Sequence, residues 1–332
     1  MKRLELLGAF FMIAGFALLA GCGGSGGEGG GADETREASG GTFTLAVIPK
    51  GTTHTFWNTV EKGAEQAGED LGVSVIWKGP LKENDRAQQI QVMQQFITQG
   101  VDGIVLAPLD YKALVAPVRE AMNRGIPVVI FDSALEGEPG EDFISFVATN
   151  NMNGGRMGGE QLAHVIGRAG RVVLLRYLVG SASTSAREEG FLGAIAGYPD
   201  IEVLVDNRYA GPTAGEAKTN SLNMIDQIRR ADGIFCSNES ATHGMLLALR
   251  QEGLAGHIKF VGFDASPPLV QALTDGEIDA LVVQDPEKMG YIAVGTLVRH
   301  LNGEEVEHVI DTGAVLVTRI NMDEPDVARL IR

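Results

Sequence analysis

Residues 101–132 read VDGIVLAPLDYKALVAPVREAMNRGIPVVIFD. Residues 101–108 are a short apolar run bounded by turn residues, which predicts a strand. Residues 114–124 place apolar side chains at helical spacing, and Gly125 closes that helix. Residues 126–131 (IPVVIF) form a second apolar run. Strands that are apolar throughout have no solvated face, so both of their faces must be covered. Strand, helix and strand in this order make a right-handed parallel crossover. The second strand ends on Asp132-Ser133, a polar pair directly after a buried run.

The same alternation extends both ways. Towards the N-terminus, strands are predicted over 42–49 and 73–77, with helices over 57–71 and 86–98. Towards the C-terminus, 144–148 is a fifth strand and the pattern then restarts. Helices are predicted at 155–166, 186–196, 213–229, 244–252, 268–275 and 286–301. Strands are predicted at 171–177, 201–207, 233–237, 259–264 and 279–284, with a last extended piece over 309–317. Two successive βα series of similar size imply an α/β fold of two doubly wound parallel-sheet lobes. No exact internal repeat is visible.

The chain has 332 residues, enough for two ordinary domains. Its formal charge is −16, which disfavours nucleic acid and anionic membrane surfaces as partners. Lys2 and Arg3 precede an apolar run over 6–20 that is short for a membrane span. The run ends in Leu19-Ala20-Gly21-Cys22, which looks like a bacterial lipoprotein box. Residues 1–21 are therefore expected to be a signal peptide and Cys22 a lipidated N-terminus. Residues 22–41 are rich in Gly and have little to bury, as a flexible tether would. Cys236 lies in an apolar strand pattern and reads as a buried, inert thiol. With Cys22 lipidated, no disulfide framework or Cys-based metal site is available.

Ligands of doubly wound sheets sit outside the carboxyl ends of the strands. His54, Phe56 and Trp57 follow the first strand, and Asp132 follows the fourth. Arg187 ends a Gly/Ser/Thr-rich loop over 177–187. Asn238 follows the strand at 233–237, Asp264 ends the strand at 259–264, and Gln284 ends the strand at 279–284. Carboxylates accept paired hydrogen bonds from vicinal hydroxyls, guanidinium donates a rigid fork, amides do both, and aromatic faces cover sugar C–H faces. Alternatives stay open for single residues. An Asp or Asn at a strand end often caps the next helix. Phe56 and Trp57 are equally at home in a core, and His54 is either a ligand contact or a helix cap. Residues 154–159 are read as close helix packing rather than an anion cradle.

These residues resemble the ribose/galactose class of periplasmic sugar-binding proteins, relatives of the ligand domains of lactose-repressor-type regulators. The resemblance runs over about residues 42–320. It is carried by Phe56-Trp57 with Lys62-Gly63-Ala64, by Gly100-Val101-Asp102-Gly103-Ile104, and by Gly125-Ile126-Pro127-Val128 through Asp132. Arg187 with Gly190-Phe191, Asn238 with Gly244, Val261-Gly262-Phe263-Asp264, and Gln284 with Pro286 and Gly290 complete it. It implies two lobes, 42–149 plus 285–311 and 150–284 plus 312–332, joined by three hinge crossings. It implies stacking by Phe56 and Trp57, and polar contacts from Asp132, Arg187, Asn238, Asp264 and Gln284. Three departures separate this site from a ribose site. His54 stands where Asn is usual, Ser133 where Arg is usual, and residues 209–213 lack an aromatic wall.

The expected function is capture of a sugar or polyol by a monomeric lipoprotein in the periplasm or at the cell surface. Delivery would be to an ABC permease of the cytoplasmic membrane. The alternative is a receptor that feeds a membrane kinase or chemoreceptor. A regulator would need a helix-turn-helix and a basic surface. An enzyme is disfavoured: there is no Gly-x-Gly-x-x-Gly after the first strand, no phosphate loop, no Gly-x-Ser-x-Gly elbow at a strand end and no His-Glu-x-x-His. The six His make no ligand-spaced pair, so no metal and no cofactor is expected.

Overall fold

Twelve strands form two six-stranded sheets in the computed structural model, which describes residues 42–331. The expected signal peptide, Cys22 and tether fall outside the described residues.

The first sheet contains β1 (Thr44–Ile48), β2 (Ser74–Trp77), β3 (Gly103–Leu106), β4 (Val128–Phe131), β5 (Ser145–Ala148) and β11 (Val309–Asp311). Its order is β11-β5-β4-β3-β1-β2, with every pairing parallel. Between these strands run α1 (Thr55–Leu71), α2 (Arg86–Gln99) and α3 (Val115–Asn123). The second sheet contains β6 (Gly170–Arg176), β7 (Ile201–Tyr209), β8 (Gly233–Cys236), β9 (Lys259–Phe263), β10 (Ala280–Gln284) and β12 (Ala314–Val317). Its order, β12-β10-β9-β8-β6-β7, repeats the first position by position; only the β10–β12 pairing is antiparallel.

The second sheet is served by α4 (Asn151–Val165), α5 (Ala182–Ile195), α6 (Ala214–Leu222), α7 (Ile225–Ile228), α8 (Glu239–Gln251) and α9 (Pro267–Asp275). Helix α10 (Pro286–Leu301) follows β10 but packs on α1 and the first sheet. Helix α11 (Pro325–Ile331) ends the described chain. The continuously apolar strands β3, β4, β8 and β10 are buried along their whole length. Each sheet has a separate apolar cluster on either face, as a doubly covered sheet requires. Cys236 is fully buried among one of them, and burial pushes its thiol pKa well up.

Several boundaries differ from the sequence reading. Helix α5 begins at Ala182, so Arg187 sits inside a helix rather than at the end of a loop. Helix α8 begins at Glu239, not 244, because the Asn238 carboxamide accepts the Ala241 N–H and starts it. The helix expected over 213–229 breaks at Asn223–Met224 into α6 and α7. The extended piece over 309–317 is two strands in different sheets, turning at Gly313. Helix α11 was not anticipated. The glycines at 154–159 do pack a helix: a Cβ on Gly155 would lie 1.8 Å from the Arg187 carbonyl oxygen of α5. That close approach fixes where α5 carries Arg187.

Candidate functional site

Every candidate residue comes from the carboxyl end of a strand, the loop that follows it or the first turns of the next helix. Lys50 and the 54–57 turn follow β1, Glu83 lies between β2 and α2, and Asp132-Ser133 follows β4. From the second lobe come Ser183, Thr184 and Arg187 on α5, Asn238 and Glu239 after β8, Asp264 after β9, and Gln284 at the end of β10. The eight residues expected from sequence, His54, Phe56, Trp57, Asp132, Arg187, Asn238, Asp264 and Gln284, all line one small cavity between the two sheets' strand ends. Its volume is about 30 Å³, so the two walls nearly touch. A larger groove of about 740 Å³ shares Phe56, Asp264 and Gln284 but is otherwise lined by α1, α9, α10 and α11. The small cavity collects the convergent polar groups, and it is the candidate site.

Trp57 is both core and wall. It is buried, packs edge-on to Phe56 and Phe131, and donates its indole N–H to Glu83 Oε1 at 2.8 Å. The same Glu83 oxygen lies 2.7 Å from His54 Nδ1. His54 Nε2 lies 3.1 Å from the Pro212 carbonyl oxygen, in the second lobe. His54 makes no side-chain cap, so the capping alternative falls. Burial opposes a charge on His54, but Glu83, then Glu239 and the Pro212 carbonyl, outweigh it and raise its pKa to about 9. Burial likewise opposes the Glu83 carboxylate, but His54, Lys50 and the Trp57 N–H hold its pKa down to about 2. The imidazolium then donates from both nitrogens, one to each lobe.

Lys50 Nζ lies 2.8 Å from Asp132 Oδ2 and donates to Ser183 Oγ at 2.8 Å. Its cation stands beside Asp132, where Ser133 leaves the position without the usual Arg. Ser133 Oγ instead accepts the Ser183 N–H at 3.1 Å. Arg187 is buried, with its guanidinium 3.9 Å above the centre of the Phe263 ring. It donates to Asn151 Oδ1 at 2.8 Å and to the Ser237 carbonyl at 3.0 Å. Burial lowers its pKa, against the opposing pull of Asp264 and Asp132. Asp264 accepts from Gln284 Nε2 at 2.7 Å and from the Glu239 N–H at 3.1 Å. Burial raises the Asp264 pKa, and Arg187 only partly offsets this. Glu239 accepts the Phe56 N–H across the cleft at 3.2 Å, and its pKa too is raised by burial.

Asn238 caps α8, and it also lines the cavity. Asp132 Oδ2 and Gln284 Oε1 are buried without an aligned hydrogen-bond donor. Asp132 Oδ2 has the Lys50 ammonium 2.8 Å away, whereas Gln284 Oε1 has no partner, and a buried acceptor left so is costly. Sequence reasoning missed Lys50, Glu83, Ser183, Thr184 and Glu239. Lys50 and Glu83 each follow a strand, which was the signal available. Glu83 sits in a run of charged and polar residues that reads as a solvated turn.

Two doubly wound lobes that close on a shared polar cleft define a hinged ligand-binding protein. The chain belongs to the periplasmic binding protein family, whose domain model matches residues 45–305. A ribose import binding protein of Salmonella typhimurium is 27% identical over 269 residues, covering 80% of this chain and 86% of its own. A D-ribose/D-allose-binding protein of Pseudomonas aeruginosa is 28% identical, covering 82% of this chain and 88% of its own. Among solved structures, a carbohydrate transporter solute binding protein of Agrobacterium radiobacter in complex with D-arabinose is 34% identical. It covers 89% of this chain and 100% of its own, with a TM-score of 0.84. These relatives are named for binding and transport, not for catalysis, and this chain is a binding protein in the same family.

Proposed function

We propose that this protein captures an uncharged sugar or similar polyhydroxylated molecule between its lobes and delivers it to an ABC transporter. The observation that carries the reading is the convergence of eight residues from strand ends and helix starts of both sheets on one cavity, where Gln284 Oε1 is a buried acceptor without a donor. Family membership and relatives named for ribose, allose and arabinose support it. Phe56 and Trp57 cover a ring face; Asp132, Asp264, Asn238, Gln284, Arg187 and His54 take hydroxyl groups. The cleft holds four carboxylates, Glu83, Asp132, Glu239 and Asp264, against the cations Lys50, His54 and Arg187. A sugar acid would add to the surplus negative charge in a site of low dielectric.

The lobes in this reading are 42–149 plus 285–311 and 150–284 plus 312–332. The hinge lies near 149–151, 283–285 and 311–313, where the chain passes between sheets. The N-terminal 21 residues direct export, Cys22 carries the lipid, and residues 22–41 let a monomeric binding unit reach its permease from the membrane surface.

Thermal unfolding of the full-length chain with D-ribose, D-allose, D-arabinose, D-fucose and nucleosides tests the cargo. A ligand at a hundredfold excess over Kd stabilises by about 2.7 kcal/mol. An upshift with a neutral sugar supports the reading; an upshift only with nucleosides overturns it. Loss of membrane partitioning in Cys22→Ser tests the anchor separately.

A further inference from the structure

Lys50 reaches the cleft from just beyond β1 and is 3% exposed. Its ammonium has three N–H donors. Ser183 Oγ accepts one of them at 2.8 Å, and Asp132 Oδ2 lies 2.8 Å away as a charge contact, so donor capacity remains. Asp132, also 3% exposed, has the charge contact at Oδ2 but no aligned hydrogen bond there. A donor and an acceptor with spare capacity thus lie side by side in the wall of the cavity. A buried ion pair is stable only when its remaining lone pairs and protons are satisfied. A hydroxyl does both at once, since its oxygen accepts and its proton is donated. A ligand carboxylate would satisfy Lys50 and face Asp132; a ligand ammonium would do the reverse.

We propose that Lys50 is a specificity-determining residue of this cleft: with Asp132 it reads one hydroxyl of the bound sugar, donating a hydrogen bond to its oxygen while Asp132 accepts the hydrogen bond that the hydroxyl donates. The inference rests on the sugar-binding reading above and adds a residue to it. Ser183 comes from the opposite lobe, so the same ammonium senses whether α5 has closed. The Ser133–Ser183 hydrogen bond holds α5 against the turn that carries Asp132. The hydroxyl is therefore selected by orientation as well as by presence, and an epimer at that carbon fails to bridge the pair.

The test is calorimetric titration of the full-length protein with D-ribose, D-allose, D-arabinose and D-fucose. The tightest of the four is then followed by its mono-deoxy analogues, in wild type and K50M. Loss of a hydrogen bond to a charged group predicts that K50M binds the parent sugar about 10- to 100-fold more weakly. One deoxy analogue should then bind K50M and wild type equally, which identifies the hydroxyl. If K50M gives no cooperative melt, K50M/D132N, which removes both charges, carries the same comparison. Unchanged affinity in the variant overturns the proposal, as does the same loss for every analogue in both proteins. Wild type binding none of the four sugars overturns the underlying reading as well, which separates the two failures.

Discussion

Asp132 and Asp264 occupy equivalent places in the two lobes and face one cavity. Each follows the third strand in its sheet's order, β4 and β9. Each is in the left-handed region, with φ of 59° and 67°. Each donates its N–H to the neighbouring strand, Asp132 to Val147 at 3.0 Å and Asp264 to Val282 at 2.8 Å. Aspartate tolerates this backbone better than most residues because its short polar side chain bonds locally. The turn places each carboxylate at the wall of the cavity, so backbone strain is kept where the two lobes face each other.

Substitutions at Asp264 separate strain from chemistry. Asp264→Gly and Asp264→Ala both remove the carboxylate that holds Gln284 and the start of α8. Only Ala also leaves a Cβ at positive φ, which costs about 1 kcal/mol more. In urea melts the Ala variant should be the less stable of the two, and both should lose stabilisation by sugar. Equal midpoints would sink the strain argument.

The His54–Glu83 pair sets a pH window. The His54 pKa rises from 6.5 to about 9 in the fold. Its contribution is therefore complete below about pH 6.5 and lost as pH rises through 9. The Glu83 pKa falls from 4.5 to about 2. Its contribution is present above about pH 4.5 and lost as pH falls through 2. The two shifts describe one interaction and are not added. The Tm difference between wild type and His54→Gln should be largest between pH 4.5 and 6.5 and should shrink towards pH 9 and above. A difference that stays constant over pH 5 to 10 would show that His54 does not act through its charge.

Arg187→Lys keeps the charge but not the fork. The guanidinium reaches Asn151 and Ser237 together while stacking on Phe263. Lysine is a point charge on a flexible stem and cannot hold that geometry. Sugar affinity should fall at least about tenfold, the loss of one charge-assisted hydrogen bond. Destabilisation should remain smaller than in Arg187→Ala, which leaves the Asn151 acceptor unpaired. Wild-type affinity in Arg187→Lys would remove Arg187 from the ligand set.

Gly155→Ala tests the helix contact that positions Arg187. The added methyl would lie 1.8 Å from the Arg187 carbonyl, which is backbone and cannot swing away. The variant should lose more than about 2 kcal/mol by overpacking and should weaken sugar binding through the displaced α5. Gly215→Ala in α6, where nothing lies within 4 Å, should instead be neutral or stabilising by up to about 1 kcal/mol. Two variants of equal stability would show that the α4–α5 contact adjusts freely.

Most of the framework was legible because its signals are local. Apolar runs of four to six residues, helical spacing and a helix-closing glycine such as Gly125, at φ 77° just past α3, lie within a few residues of one another. Where such signals compete, the reading slipped. Ser, Thr and Asn prefer turns when taken alone, so the first turns of α5 and α8 read as loop although both helices already run there. The turn at Gly313 separates two strands that the apolar pattern joins, because which sheet a strand enters is not encoded in its own residues.

The amino-acid sequence by itself determined two doubly wound sheets and the strand ends that carry His54, Asp132, Asn238, Asp264 and Gln284, since parallel crossovers put those ends on one side. Only the tertiary structure decided how the groups pair. Lys50 with Ser183, His54 with Pro212 and Phe56 with Glu239 are 133, 158 and 183 residues apart and meet across the cleft. Charge at a loop position looks the same whether water or an opposing lobe will neutralise it. The partner that gives Lys50 or Glu83 a role comes into range only when the two lobes face each other.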